Sequence, residues 1–304
     1  MKPPLHMKWL VILLLSLSSI AGLRVEGSIS RSQETQRKIV SDDFIKSRRE
    51  VASPSRKGKS RVQTKRPTYR LVSNPAVGSR PPAGNFVQLG ITIWRLRPAR
   101  TGDSGRRALI REKRKGLLWA AERVQSDGTF REGDYVRISV ESPRTGYLYV
   151  IDRDLSADGS TGEPMLIFPW AEADNKLVPG SLIDIPGQED DPNHFTARVT
   201  SRNQVGELLT FIVTATPLDL PLSDKPLRID SVELSRWEKL WSGVTERYEM
   251  EGGVGRAWTQ EEQQAAAKKR RQLTREDPVP QTIYRVIAPE RKGILVNLLL
   301  KYEK

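Results

Sequence analysis

The chain has 304 residues, a formal net charge of +13, two histidines and no cysteine. This length allows one or two domains with their own cores. The lack of cysteine excludes disulfides, thiol nucleophiles and Cys-ligated metals, and two histidines are too few for a multi-histidine zinc site.

The first 27 residues have the pattern of a secretory signal peptide. Lys2 and Lys8 lead into a 12-residue apolar run over 9–20, and small residues follow. We expect cleavage near Ala21 to Gly27, which makes the mature protein secreted or periplasmic. An uncleaved membrane anchor is the alternative, but the run is shorter than the ~20 residues that span a bilayer. We therefore expect no transmembrane helix in the mature chain.

The positive charge is concentrated in the next segment. Residues 28–85 carry 14 Lys/Arg against 4 Asp/Glu, whereas residues 86–304 carry 33 against 32. The segment is rich in Ser and Pro and poor in large apolar residues, which predicts a disordered basic linker. It is either a solvated spacer or an electrostatic tether to anionic lipid or polymer. We expect no nucleic-acid partner, because aromatic residues are not interleaved with the basic ones.

Short alternating or apolar runs separated by Gly, Pro, Asp and Asn predict strands through most of residues 86–217. No helical period interrupts them, which favours an antiparallel β-sandwich that is Ig-like or barrel-like. We therefore predict a β-sandwich domain over residues 86–304. The predicted strands cover 86–96, 117–124, 134–141, 147–151, 165–168, 182–185, 195–200 and 208–215.

The C-terminal part predicts one or two helices and a pair of strands. The first helix covers about 231–248, with Asp230 as its N-cap and an apolar stripe that packs on a sheet. The second covers 260–273, is capped by Thr259 and has an exposed surface. The chain then ends in a hairpin-like pair of strands over 282–287 and 294–300.

One loop resembles part of a calcium-binding loop, in which oxygen ligands alternate and a Gly follows. The candidate ligands are Asp152, Asp154, Ser156 and Asp158. Position 12 of such a loop would be Met165 instead of a bidentate Glu. A polar turn between two core strands explains the same residues. No other cofactor is predicted.

Aromatic residues offer a second candidate site. Tyr147 and Tyr149 lie on one strand face and could bind a sugar or peptide together with Trp170. Core or cross-strand packing is the alternative. His194 reads as a loop residue, because no nucleophile elbow accompanies it. The sequence singles out no pair of carboxylates and predicts no catalytic residue.

Residues 130–217 contain a series of short motifs in a characteristic order. They are Gly133-Asp134, Gly146 to Val150, Ile167-Phe168-Pro169, Pro179-Gly180, Ile185-Pro186 and Gly206-Glu207. On these motifs the block resembles the bacterial exported domain of unknown function numbered 4384. That family has no established activity, so the resemblance implies an accessory or interaction module without catalytic residues.

These observations predict an exported, non-enzymatic interaction module of the bacterial cell envelope. Its partner would be an envelope protein or a polysaccharide. Two alternatives remain open. One is a carbohydrate- or peptidoglycan-binding module that uses exposed Tyr and Trp. The other is a hydrolase that uses two acidic residues in a cleft.

Overall fold

The computed structural model describes residues 40, 42, 44–50, 67–73, 86–103, 108–112, 116–267, 271–287 and 293–303. The predicted signal peptide and most of the predicted linker lie outside these residues. Among the described helices, none combines the length and apolar character that crossing a membrane requires.

Two sheets form the fold. In the first sheet the order is β1-β15-β16-β2-β4-β3, and β6 pairs with β2, β11 and β12. The strands of this sheet are β1 (Tyr69–Ser73), β2 (Phe86–Pro98), β3 (Leu109–Arg111), β4 (Leu118–Val124), β6 (Tyr135–Glu141), β11 (Ile183–Ile185), β12 (Phe195–Thr196), β15 (Val244–Met250) and β16 (Thr282–Ile287).

In the second sheet the order is β14-β9-β7-β13-β17-β5, with β10 on β7 and β8 on β13. Every pairing between described strands is antiparallel except that of β17 with β5. The predicted mainly β, antiparallel sandwich is therefore confirmed. The strands of this sheet are β5 (Thr129–Phe130), β7 (Gly146–Asp152), β8 (Asp154–Ser156), β9 (Met165–Phe168), β10 (Lys176–Leu177), β13 (Gln204–Thr214), β14 (Leu227–Arg228) and β17 (Gly293–Tyr302).

The main core lies between the sheets. Alternate residues of each strand point into it because successive side chains of a strand face opposite ways. Strand β2 contributes Leu89, Ile91 and Ile93, and β13 contributes Leu209 and Phe211. All five side chains are at most 2% exposed. Burying side chains of this size stabilises the fold by ~1.5–3 kcal/mol each.

The outer face of the second sheet is covered by helix α1 (Ser231–Trp241). The helix buries Leu234, Trp237 and Trp241 against Tyr149 and Ile212 of the sheet. Its first turn is capped by Asp230, whose carboxylate accepts from the N–H groups of residues 232 and 233. The predicted cap is confirmed, and so is the packing of these three residues of the predicted stripe. The other two, Leu240 and Val244, are 49% and 50% exposed.

Helix α1 is shorter than predicted. It ends at Trp241, and residues 244–250 form strand β15 instead of continuing the helix to 248. A Cβ at Gly243 would lie 2.7 Å from the carbonyl oxygen of Ile287, so the chain passes the neighbouring strand too closely for other residues. The apolar spacing that included Val244 in a helical stripe fits a strand equally well.

The second helix, α2 (Gln260–Ala266), is also shorter than the predicted 260–273. Thr259 and Glu262 form the predicted capping box. The helix is not simply exposed: Glu262 is buried and pairs with Arg123 of the first sheet at 2.6 Å. Leu273 lies beyond the helix and is fully buried. The spacing of apolar residues cannot predict this burial, because the buried residue of the helix is a carboxylate that is paired with an arginine far away in the sequence.

Two parts of the range predicted as a linker belong to the fold. Residues 69–73 form strand β1, which pairs with β15. Phe44 is fully buried, and Arg48 forms a bidentate pair with Glu141 at 2.7 and 2.6 Å. The linker as predicted over 28–85 is therefore too long. Its basic composition hid Arg48, which is a buried partner of a carboxylate and not a solvated charge.

The last two strands are not a hairpin. Strand β16 pairs with β2 and β15 in the first sheet, whereas β17 pairs with β13 in the second. The strand assignments themselves are confirmed. Their pairing was predicted wrongly. Two strands that are close in the sequence commonly form a hairpin, but here the chain crosses from the first sheet to the second between β16 and β17.

Candidate ligand cavity

A cavity of about 130 Å³ lies between the two sheets. A water molecule occupies about 30 Å³ of the liquid, so this space is several waters in size. Much of its wall is apolar, from strands of both sheets. The apolar residues include Phe130, Val136, Ile138, Ile167, Phe195 and Leu209.

Polar side chains also line this cavity: Thr196 from the first sheet, and three from the second sheet, Asp152, Glu207 and Tyr302. Asp152 ends β7 on the same face as the core residues Leu148 and Val150. Glu207 shares a face of β13 with Leu209. Tyr302 is the last residue of β17, so the three polar side chains come from three different strands of the second sheet.

Strand register places the three side chains next to one another. Glu207 lies opposite Leu300 in the pairing of β13 with β17, so Tyr302 is its diagonal neighbour. Ile151 lies opposite Thr210 in the pairing of β13 with β7, which places Asp152 diagonal to Glu207 on the other side. Diagonal cross-strand neighbours have their Cα atoms about 7–8 Å apart, within reach of long side chains.

The carboxyl groups of this site hold their protons more tightly than usual. Burial, together with charge repulsion from Glu207 and Asp154, raises the pKa of Asp152 from 3.8 to about 8. Burial also raises the pKa of Glu207, which a hydrogen bond from Tyr302 partly offsets. The Tyr302 hydroxyl donates to Oε1 of Glu207, and burial raises the pKa of that phenol.

Hydrogen bonding within the site is incomplete. The Oδ1 atom of Asp152 is buried and has no hydrogen-bond partner among the described residues. In that same part of the chain, no Lys or Arg forms an ion pair with Asp152 or Glu207. A buried acceptor without a donor costs ~1–3 kcal/mol, so the site can gain free energy from a ligand that donates hydrogen bonds.

The size of the cavity limits its chemistry. Pockets that enclose a whole drug-sized ligand measure about 300–1,000 Å³. A cavity of about 130 Å³ admits a group the size of one side chain. A glycosidase needs room for a sugar ring between its two carboxyl groups. The arrangement therefore suits the binding of a small group better than hydrolysis of a glycan.

The four candidate calcium ligands do not converge. Asp152 points into the cavity, while Asp154 accepts from Gln204 and Thr200 at 2.9 and 3.0 Å. Asp158 is exposed and accepts from the backbone and hydroxyl of Ser160. Ser156 accepts the N–H of residue 159 through its backbone carbonyl. Across the described ranges, no three His, Cys, Asp or Glu side chains form a group that could hold a metal.

The three predicted aromatic residues do not form one face. Tyr149 is 2% exposed, packs under helix α1 and accepts the N–H of Leu218 at 2.7 Å. Tyr147 is partly buried in the same cluster. Trp170 packs instead against the core between the sheets, edge-on to Phe168 at 5.4 Å between ring centroids. The structure thus separates Trp170 from the two tyrosines.

His194 is not among the residues that line the cavity. It is 6% exposed and stacks on Tyr135 with ring centroids 4.0 Å apart. Trp119 lies 4.8 Å from the same tyrosine ring. The imidazole therefore contributes to packing beside β6, although the next residue in the chain, Phe195, lines the cavity.

Sequence reasoning named Asp152 for a different chemistry and missed Glu207 and Tyr302. The sequence did contain a signal for both residues, since each continues the apolar face of a predicted strand just beyond one of its ends. Glu207 continues the inward face of Leu209 and Phe211, and Tyr302 continues that of Leu298 and Leu300. A carboxylate or hydroxyl on the apolar face of a strand indicates a buried polar group.

Comparisons with known proteins add no further information about this site. No family model, no curated protein and no solved structure matches the chain. The resemblance of residues 130–217 to the domain of unknown function stays a prediction.

Proposed function

We propose that the protein is a non-enzymatic binding module that receives a small group in the cavity between its sheets. The observation that carries this proposal is the coincidence of an apolar cavity of about 130 Å³ with the buried groups of Asp152, Glu207 and Tyr302. Perturbed carboxyl groups in a concave site are typical of functional positions. The received group is either an anchoring side chain of a partner or a small free ligand.

A cavity of this size suits an anchoring side chain. Protein interfaces gain much of their free energy from a few residues that fill desolvated pockets. The rest of the partner then contacts the rim. This supports an interaction role, in line with the interpretation of the sequence as an accessory module.

The cavity is tested by titrating the ¹⁵N-labelled protein with 1-butanol, a small amphiphilic probe. We expect amide shifts that saturate and that cluster around Ile138, Leu209 and Leu300, which line the cavity. The substitution Ala197→Leu fills the cavity and should abolish the shifts. Ala171→Leu makes the same change at an exposed position and is the matched control. Butanol shifts that persist in Ala197→Leu, or that never arise, would overturn the proposal.

We further propose that the module works in the bacterial cell envelope, after export and with its basic segment as an electrostatic tether. The support is the sequence pattern of residues 1–27 and the charge of residues 28–85. A deletion of 28–85 would also remove strand β1 and Arg48. The better test changes the six Lys/Arg of residues 51–66 to Gln.

The tether has two measurable consequences. The intact protein should bind vesicles that contain anionic lipid, and binding should weaken as salt rises because the charges are screened. The neutralised variant should lose this binding while keeping the butanol shifts of the cavity. Equal vesicle binding by both proteins would refute the tether without affecting the cavity.

A further inference from the structure

Three buried carboxylates on or beside the first sheet are paired with buried arginines. Arg48 pairs with Glu141 at 2.6 Å, Arg123 with Glu262 at 2.6 Å, and Arg137 with Asp184 at 3.2 Å. All six side chains are at most 4% exposed. A buried charge is costly unless a counter-charge and hydrogen bonds accompany it, so this matching has a clear physical reason.

The carboxyl groups of the cavity differ from these three. Asp152 and Glu207 are partly buried near each other, and the described part of the chain supplies neither with an Arg or Lys partner. The Tyr302 hydroxyl donates to one oxygen of Glu207, and the buried Oδ1 atom of Asp152 has no donor. The cavity thus contains hydrogen-bond acceptors and two ionisable carboxyl groups without the cationic partner that Glu141, Glu262 and Asp184 have.

We propose that the cavity binds a primary alkylammonium group, with the nitrogen between Asp152 and Glu207 and the alkyl stem against the apolar wall, an inference that rests on the proposed function. Charge complementarity and the shape of the lining support this occupant. A lysine side chain and a free small amine share this chemistry, because both present an apolar stem that ends in –NH₃⁺.

An ammonium group fits this site better than a guanidinium. An ammonium has three N–H donors on one nitrogen, which can all point to the carboxyl groups of Asp152 and Glu207 and the hydroxyl of Tyr302, all on the second sheet. A guanidinium spreads five donors around the edge of a plane, so in a cavity whose remaining wall is mostly apolar some of them would face residues without an acceptor. Leaving donors unsatisfied costs ~1–3 kcal/mol each.

Binding of this cation must depend on pH. The charged or titratable groups that face the site are Asp152 from β7, Asp154 from β8, Glu207 from β13 and Tyr302 from β17. The residues from β5, β6, β9 and β12 that line the cavity are uncharged. Because an ammonium favours the ionised carboxylate, binding releases a proton. With a pKa of Asp152 of about 8, affinity should rise about 50-fold from pH 6 to pH 8.

The test compares n-butylammonium with 1-butanol by the same amide-shift titration, at pH 6 and pH 8. We expect butylammonium to bind at least tenfold more tightly at pH 8 than at pH 6, and butanol binding to stay unchanged. Asp152→Asn and Glu207→Gln should each weaken butylammonium by about tenfold or more, since a hydrogen bond to a charged group is lost. Asp158→Asn changes an exposed carboxylate in the same way and should have no effect.

The outcomes separate this inference from the proposed function. If butanol binds and butylammonium binds no better at either pH, the ammonium inference is overturned and the cavity keeps its role. If neither probe binds, both are overturned. Butylguanidinium that binds as tightly as butylammonium would also overturn the choice of an ammonium. If either variant unfolds, the unmodified protein still tests the inference, because its affinity for butylammonium must rise at least tenfold from pH 6 to pH 8.

The source of the ammonium is then resolved with a Gly-Lys-Gly peptide. A peptide affinity equal to or above that of butylammonium supports a lysine of a partner protein as the occupant. A peptide that binds at least tenfold more weakly supports a free amine.

Discussion

Replacing Asp152 by Asn should stabilise the protein in a way that grows with pH. In the native protein, burial raises the pKa of this carboxyl from 3.8 to about 8. A group whose pKa is raised on folding contributes stability in its protonated form. That contribution is complete below pH 3.8 and is lost as the pH rises to about 8. Asn keeps the shape of the side chain and cannot ionise.

The magnitude follows from linkage between protonation and folding. One pH unit corresponds to ~1.4 kcal/mol for a group that is protonated only in the folded state. From pH 5 to pH 8, the free energy of unfolding of Asp152→Asn should therefore rise relative to that of the native protein by about 4 kcal/mol. This is a large share of the ~5–15 kcal/mol by which proteins are usually stable.

Urea unfolding followed by tryptophan fluorescence measures this difference at pH 5, 6, 7 and 8. Subtracting the native values removes the contributions of titrating groups that do not interact with Asp152. Asp158→Asn is the control. Hydrogen bonds from Ser160 lower the pKa of Asp158, so its contribution is complete above pH 4 and constant over this range. A difference for Asp152→Asn that does not change with pH would refute the buried, unpaired state of this carboxyl.

Three further changes test the fold and the site. Arg48→Ala leaves the carboxylate of Glu141 buried and unpaired, and should lower the free energy of unfolding by about 3–5 kcal/mol in urea titrations. No loss would mean that the segment around Arg48 does not dock in solution. Trp237→Ala should lower the free energy of unfolding by about 3–5 kcal/mol, because this ring of helix α1 packs on the second sheet and is only 4% exposed. A cost below 1 kcal/mol would contradict that packing. Tyr302→Phe removes a donor and should raise the pKa of Glu207 further, which carboxyl ¹³C NMR measures. An unchanged titration would exclude the hydrogen bond.

Strands were the part of the fold that local pattern predicted best. Strands β2, β6 and β13 fall where apolar residues alternate, and those alternating residues face the core. Strand β7 falls on a run that is almost wholly apolar. The reason is that alternation is a property of a single strand: it depends on backbone geometry and on which side meets water.

Helix ends and strand partners were predicted less well. Val244 fits a helical stripe and a strand equally, and the close approach at Gly243 decides between them. Strands β16 and β17 were assigned correctly but placed in one hairpin, whereas they belong to different sheets. Partner choice depends on contacts between residues far apart in the chain, which no local period records.

The candidate site was predicted only in part. Asp152 was selected as a calcium ligand, and its neighbours in the structure are instead Glu207 and Tyr302. Tyr302 lies 95 residues from Glu207, and they meet only through the register of β13 and β17. Side chains so far apart in the sequence can be recognised as one site only when the pairing of their strands is known.

The amino-acid sequence by itself determined the class of the fold and the inward face of each strand, because side-chain alternation and hydrophobic burial act within a few residues. The tertiary structure decided which strands are neighbours and which buried carboxylates receive an arginine. Glu141 obtains Arg48 from a segment that composition alone marks as a linker, whereas Asp152 and Glu207 obtain none. Pairing of charges depends on distances across the sheets and on exclusion of water, and both arise only when the sandwich closes.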